Sequence, residues 1–185
     1  MSRIILGRLR LDLQPVCLSE AVEAALDSVR PAAEAKGVRI ECELQSEAGA
    51  ISGDPQRMRQ IACNLLSNAV KFTQASGLVR VKLEYSESEV KFTVTDTGKG
   101  ISPNFLPYVF DRFRQAETTT SRTAAGLGLG LSISRHLVEL QGGMIQAQSE
   151  GEGRGATFTI TFPLREAVGD SFSSKSVVKA AERGP

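Results

Sequence analysis

Polar and apolar positions alternate at the start of the chain. Between residues 4 and 16, Leu9, Leu11 and Leu13 interleave with Arg8, Arg10, Asp12 and Gln14. A period of two predicts a half-buried strand, which Pro15 is expected to end. Ser19 then offers a helix cap. Leu18, Val22, Leu26 and Val29 recur at three- and four-residue spacing, the apolar stripe of a helix running to about Lys36 and closing at Gly37. Val38 to Leu44 alternates again as a second short strand. Asp54-Pro55 reads as a helix start, a capping carboxylate followed by proline at the first helical position. From there to Phe72 the chain carries two stripes. One is apolar, formed by Met58, Ile61, Leu65, Ala69 and Phe72. The other is polar, formed by Arg57, Gln60, Asn64, Asn68 and Lys71.

Two further alternating stretches, Leu78 to Tyr85 and Val90 to Thr95, flank the polar turn Ser86-Glu87-Ser88 and predict a hairpin. Residues 96–125 lack regular periodicity, and a loop this long in a compact domain is usually functional or mobile. A helix is predicted from about Leu127 to Gln141, ending at Gly142-Gly143, followed by strands at Met144–Ser149 and Ala156–Phe162. Residues 165–185, rich in Ser, Ala, Lys and Glu, read as a linker or tail. Helices and strands mix without regular alternation, and two hairpins are present. The fold class is therefore α/β: a two-layer sandwich, with a mixed sheet of about five strands and three main helices on one face.

Composition narrows the function classes. The 185 residues carry 22 Lys+Arg against 21 Asp+Glu, a net charge of +1, which argues against nucleic acid held by bulk charge. No stretch is apolar for the length of a bilayer, so no membrane contact is expected from this segment. Cys17, Cys42 and Cys63 are odd in number and lack ligand-like spacing. They point to a reduced, cytoplasmic compartment and away from structural zinc. His136 is the single histidine, so no histidine cluster can form.

Three motifs carry candidate chemistry. Asn64, Asn68 and Lys71 stand at i, i+4 and i+7, on one face of a helix. Mid-helix Asn is a poor helix former. The face is either simply solvated or a site, with amide oxygens for a hard cation such as Mg²⁺ and Lys for phosphate. Asp96-Thr97-Gly98-Lys99-Gly100-Ile101 places a carboxylate after a strand with two glycines. It is either a plain turn or a place where backbone approaches a flat ligand and Asp96 accepts from an exocyclic amine. Gly126-Leu127-Gly128-Leu129-Gly130-Leu131 alternates glycines at a helix start. That arrangement favours phosphate on exposed backbone N–H groups over a hinge.

Order and spacing of these motifs resemble one family. Residues 54–73, "DPQRMRQIACNLLSNAVKFT", are similar to the N box of sensor histidine kinases. "DTGKGI" is similar to the first glycine box, "VFDRFRQAE" (109–117) to the F box, "GLGLGLSISRHLVELQGG" to the second glycine box and its helix, and "GATFTITFPL" (155–164) to the closing strand. The resemblance covers residues 9–164 and implies the Bergerat fold shared with gyrase, mismatch-repair and heat-shock chaperone ATPases.

The resemblance also implies roles. Asn68, with Asn64 beside it, would coordinate Mg²⁺ on the phosphates of ATP, and Lys71 would contact a terminal phosphate. Asp96 would bind the adenine amine, with Gly98, Gly100 and Ile101 around the base. Gly126, Leu127, Gly128, Leu129 and Gly130 would form the phosphate turn. Arg112 or Arg114 would approach the γ-phosphate, Phe110 and Phe113 would anchor a lid, and Thr157 would back the adenine pocket. Residues 115–125 hold no large apolar side chain and are expected to order when nucleotide binds. Hydrolysing branches of the superfamily place Glu where this chain has Asn64, and an amide has no basic site to activate water. That favours transfer to another nucleophile, and the resemblance implies that the acceptor is a histidine on a dimerisation domain, with a response-regulator receiver domain beyond it, in the cytoplasm or the cytoplasmic part of a membrane-bound kinase. Residues 1–8 resemble the end of a dimerisation helix or a linker, and His136 a framework position. The alternatives are a nucleotide-binding sensor or scaffold without transfer, and a serine kinase of the anti-sigma type.

Overall fold

The computed structural model describes residues 2–6, 9–45, 50–114 and 129–164, with side chains described from Arg10 onward. The strands are β1 (Ser2–Leu6), β2 (Leu9–Cys17), β3 (Arg39–Leu44), β4 (Ala50–Gly53), β5 (Leu78–Tyr85), β6 (Glu89–Asp96), β7 (Met144–Gln148) and β8 (Ala156–Pro163). The helices are α1 (Leu18–Lys36), α2 (Pro55–Phe72) and α3 (Gly130–Leu140).

Five strands form one mixed sheet in the order β3-β5-β6-β8-β7. The hairpins β5–β6 and β7–β8 and the β6–β8 pair are antiparallel. Only β3–β5 is parallel, with Arg39 opposite Leu78. A parallel pair needs a crossover, and the chain between these strands supplies one in α2. On β5, β6 and β8 every second residue is buried: Val79, Val81 and Leu83; Val90, Phe92, Val94 and Asp96; Ala156, Phe158, Ile160 and Phe162. That face meets the apolar stripes of α1, α2 and α3, led by Val22, Leu26, Met58, Ile61, Leu65 and Leu137. The two-layer sandwich read from the periodicity is therefore the observed architecture.

Several local expectations are corrected. Ser2–Leu6 is a strand pairing with β2 rather than the end of a helix. Pro15 does not end β2. The strand continues to Cys17, because Gln14 to Cys17 pair antiparallel with β4 in a second, three-stranded sheet. An edge-type position tolerates the missing N–H. α1 starts at Leu18 with Cys17 as its N-cap residue, so Ser19 lies inside the helix and its Oγ is 3.0 Å from Cys17 Sγ. Asp54 and Pro55 begin α2 as expected. Asp54 Oδ1 accepts from Gln56 N at 3.0 Å and Arg57 N at 3.2 Å. Phe72 leaves the apolar stripe. At the last position of α2 it is 36% exposed, with Val70 taking the buried place. Cys17, Cys42 and Cys63 are free thiols.

Candidate functional site

α2 has a second side. Asn64 and Asn68, one turn apart, are half-buried, and Lys71 is exposed at the C-terminal end. The apolar stripe at Ile61, Leu65 and Ala69 is committed to the core, and the helical period turns the polar residues away from it. Asn64 is held by α3: its Nδ2 donates to Gly130 O at 3.3 Å and to Ser134 Oγ at 3.2 Å. The first residue of α3, at the end of the second glycine run, thus lies against the middle of the polar stripe. The N–H groups of the first turn of any helix lack intrahelical partners and favour anions. Leu129, half-buried, immediately precedes this turn, and its carbonyl accepts from Ser132 Oγ at 2.9 Å.

The C-terminal end of α2 meets the Asp96 loop. Lys99 N donates to Phe72 O at 3.1 Å. A side chain at Gly98 would bring its Cβ within 2.4 Å of that same carbonyl. Gly100 has φ +68°, and a Cβ there would stand 2.0 Å from Gly151 O. Both glycines are required by close backbone approach. The β7–β8 connection ties the loop down: Gly153 N donates to Lys99 O at 2.6 Å, Gly155 N to Gly98 O at 3.1 Å, and Ile101 N to Ser149 Oγ at 3.0 Å. Ile101 is partly buried against the core.

Asp96 is the charged group at the centre of this loop. It is 6% exposed, its Oδ1 accepts from Gly98 N at 2.8 Å, and the backbone of Ala156 also stabilises the carboxylate. Desolvation outweighs both and holds its pKa above the ordinary carboxylate range. A buried carboxylate with that bias gains from a donor brought by a ligand. Phe72 stands at the same end, with Lys99 Nζ 4.4 Å and Lys71 Nζ 5.2 Å from its ring centroid. This exposed aromatic ring, within reach of two cations, stands at a position that the apolar stripe predicts to be in the core. Its signal is position: the apolar stripe of α2 ends one turn earlier.

Other expectations divide. Phe110 packs edge-on against Phe158, ring centroids 6.2 Å apart, and partly joins the core. Phe113 does not anchor anything described. It is 74% exposed with φ +62°. Arg112 is exposed. Arg114 stacks 4.1 Å over the Tyr108 ring and pairs with Asp111 at 3.5 Å. Thr157 belongs to the other face of the sheet. It pairs with Thr95, hydroxyl to hydroxyl at 3.1 Å, whereas the residue opposite Asp96 is Ala156. Strand alternation puts neighbours on opposite faces, so Thr157 does not share a face with Asp96. His136 is exposed on α3. Gly126, Leu127, Gly128 and the lid segment 115–125 lie outside the described residues. Among the described residues no three His, Cys, Asp or Glu gather as a metal cluster, so a cation here would draw on amide oxygens and on the ligand.

A family model matches residues 53–166, which include α2, the Asp96 loop, α3 and the β7–β8 hairpin: the Histidine kinase-, DNA gyrase B-, and HSP90-like ATPase. The chain belongs to this ATPase family. Its relatives are sensor histidine kinases. It is 34% identical to hybrid signal transduction histidine kinase D of Dictyostelium discoideum, over 89% of this chain and 13% of that protein. It is 37% identical to the circadian input-output histidine kinase CikA of Synechococcus elongatus, over 88% and 22%. The chain therefore spans about an eighth to a fifth of these relatives. The full-length ShkA structure, in complex with AMPPNP, superposes with a TM-score of 0.73 at 33% identity, covering 87% of this chain and 33% of that one. No helix among the described residues is long and apolar enough to cross a membrane.

Proposed function

We propose that residues 9–164 form the catalytic ATP-binding unit of a sensor histidine kinase. The unit binds Mg-ATP and donates the γ-phosphoryl group to a histidine of a dimerisation domain, from which a receiver domain takes it. The observation that carries this reading is Asp96, a buried carboxylate biased toward a donor, set in a glycine loop bonded to one end of α2 while Gly130 at the start of α3 is bonded to its middle. Base and phosphates then have separate anchor points along one helix.

Asp96 accepts the adenine amine, and Gly98 and Gly100 let the loop that carries it pack closely against Phe72 O and Gly151 O. The Phe72 ring offers the base an apolar face. Lys71 sits on the same side of α2 for a terminal phosphate, and Leu129 and Gly130 begin the phosphate turn that Gly126 to Gly128 would complete. The donor set fits Mg²⁺. Asn64 spends its N–H groups on α3, which leaves its carbonyl oxygen, with that of Asn68, as hard neutral donors. Bound there, Mg²⁺ would neutralise charge on the phosphates. Arg112 or Arg114 would supply further positive charge from the loop after the 3-10 turn Leu106–Tyr108. No residue of this set is a base placed to activate water, which favours transfer over hydrolysis. The AMPPNP bound to ShkA supports the nucleotide. Dependence on ATP and on a receiver domain would suit a cytoplasmic location.

The test is direct. The chain is mixed with radiolabelled ATP, Mg²⁺ and a separately produced dimerisation domain of a histidine kinase. Label on the histidine of that domain, lost when Asp96 is replaced by Asn, is the expected result. ATP bound with Mg²⁺ but never transferred, across cognate and related dimerisation domains, would leave a nucleotide-binding module in its place.

A further inference from the structure

The polar contact between α2 and α3 has a direction. Gly130 contributes a carbonyl, which only accepts, at 3.3 Å from Asn64 Nδ2. The amide nitrogen must therefore face α3, and Oδ1 must face away from it. The second acceptor for that nitrogen is Ser134 Oγ at 3.2 Å. Ser134 is 0% exposed on a helix whose neighbouring positions Leu137 and Val138 belong to the apolar core. A hydroxyl there is costly to bury without a partner and weakens helix propensity relative to Ala, so its bond to Asn64 is its physical justification. The other end of the helix pair is pinned as well. Gln141 Oε1 accepts from Asp54 N at 2.7 Å, and Gln141 Nε2 donates to Leu137 O at 2.8 Å. With α3 fixed against α2 at both ends, Ser134 and Asn64 cannot slide past each other.

We propose that Ser134 is a positioning residue that holds the Asn64 amide with Oδ1 turned toward the cation on the nucleotide phosphates. The inference rests on the Mg²⁺ role given to Asn64 above. The terminal torsion of Asn is broad. Without Ser134 one amide proton loses its buried acceptor, and the group can rotate its oxygen out of line. Ser134 touches neither nucleotide nor metal; it acts through Asn64.

Calorimetric titration of AMPPNP with and without Mg²⁺ tests this on the intact chain. The variants are N64A, S134A and the double variant, each checked by thermal melting. Loss of an orienting partner behind a metal ligand is expected to cut the Mg²⁺-dependent gain in affinity by about tenfold, with metal-free affinity within about twofold of wild type. N64A is expected to lose the gain, and adding S134A to it is expected to cost nothing more. S134T and S134V have the same shape and differ in the hydroxyl, so Thr is expected to keep more of the gain than Val. Three results overturn the proposal: S134A with the full Mg²⁺ gain, S134A losing affinity equally with and without metal, or losses that multiply in the double variant. N64A with the full gain removes the cation role itself and the proposal with it. That result is distinguishable from failure of Ser134 alone.

Discussion

Burial of Asp96 works against the fold. Desolvation raises its pKa above the unfolded value, so the folded state holds the proton more tightly than the unfolded chain. Stability therefore falls as pH rises from the ordinary carboxylate pKa through the raised one, and the cost is fully present above the raised one. D96N removes the buried charge and keeps an oxygen for Gly98 N. It is expected to raise the melting temperature at pH 7 by about 2–4 °C, the response of a chain this size to about 1 kcal/mol, with a smaller gain near pH 4. The same variant is expected to weaken ATP binding by about 1–3 kcal/mol through loss of the charged acceptor, read by calorimetry. Gly98 gives the opposite pairing. A Cβ there meets Phe72 O at 2.4 Å, so G98A is expected to lower stability by about 1–3 kcal/mol and affinity together. A normal melt for G98A with normal ATP affinity is inconsistent with the close approach.

At the scale of elements, α2 organises everything else. Its N-terminus is capped by Asp54, whose second oxygen accepts from Asp12 N on β2 at 3.1 Å and whose own N–H goes to Gln141 beyond α3. One residue thus joins a cap, the small sheet and the helix pair. D54A is expected to cost about 1–2 kcal/mol, the upper range for a lost cap, measured by urea titration. A cost below about 0.3 kcal/mol would show that these bonds are replaced by water. The start of α2 was legible because capping chemistry is local: Asp-Pro announces itself within two residues. The fate of Phe72 was not. Whether the last apolar residue of a helix is buried depends on what packs past its end, and here that is the Lys99 loop.

For the whole molecule, a ligand that binds only the folded state stabilises it by mass action. Mg²⁺ with ATP analogue at 100 times its Kd is expected to add about 2.7 kcal/mol, a rise of about 5–11 °C in melting temperature for this size. Chelation of Mg²⁺ at the same nucleotide concentration is expected to remove part of that rise in wild type and none in N64A. An unchanged melt on adding Mg²⁺ and nucleotide would contradict an ATP site spanning α2, the Asp96 loop and α3.

Periodicity and glycine spacing alone determined the two-layer sandwich, the strands of both hairpins and the polar stripe of α2. Each is set by side-chain period or backbone freedom within a few residues. The resemblance added the roles proposed for Asn64, Asn68, Lys71 and Asp96. Tertiary structure decided the rest. β4 is four residues of weak pattern and exists because β2 offers an edge, which also carries β2 through Pro15. Thr157 falls on the outer face because register with β6 places Ala156, not Thr157, opposite Asp96. Ser134 looks like any helical serine until α3 is laid against α2 and its hydroxyl reaches Asn64, 70 residues away in sequence. A contact over that separation is fixed by packing, which no local pattern encodes.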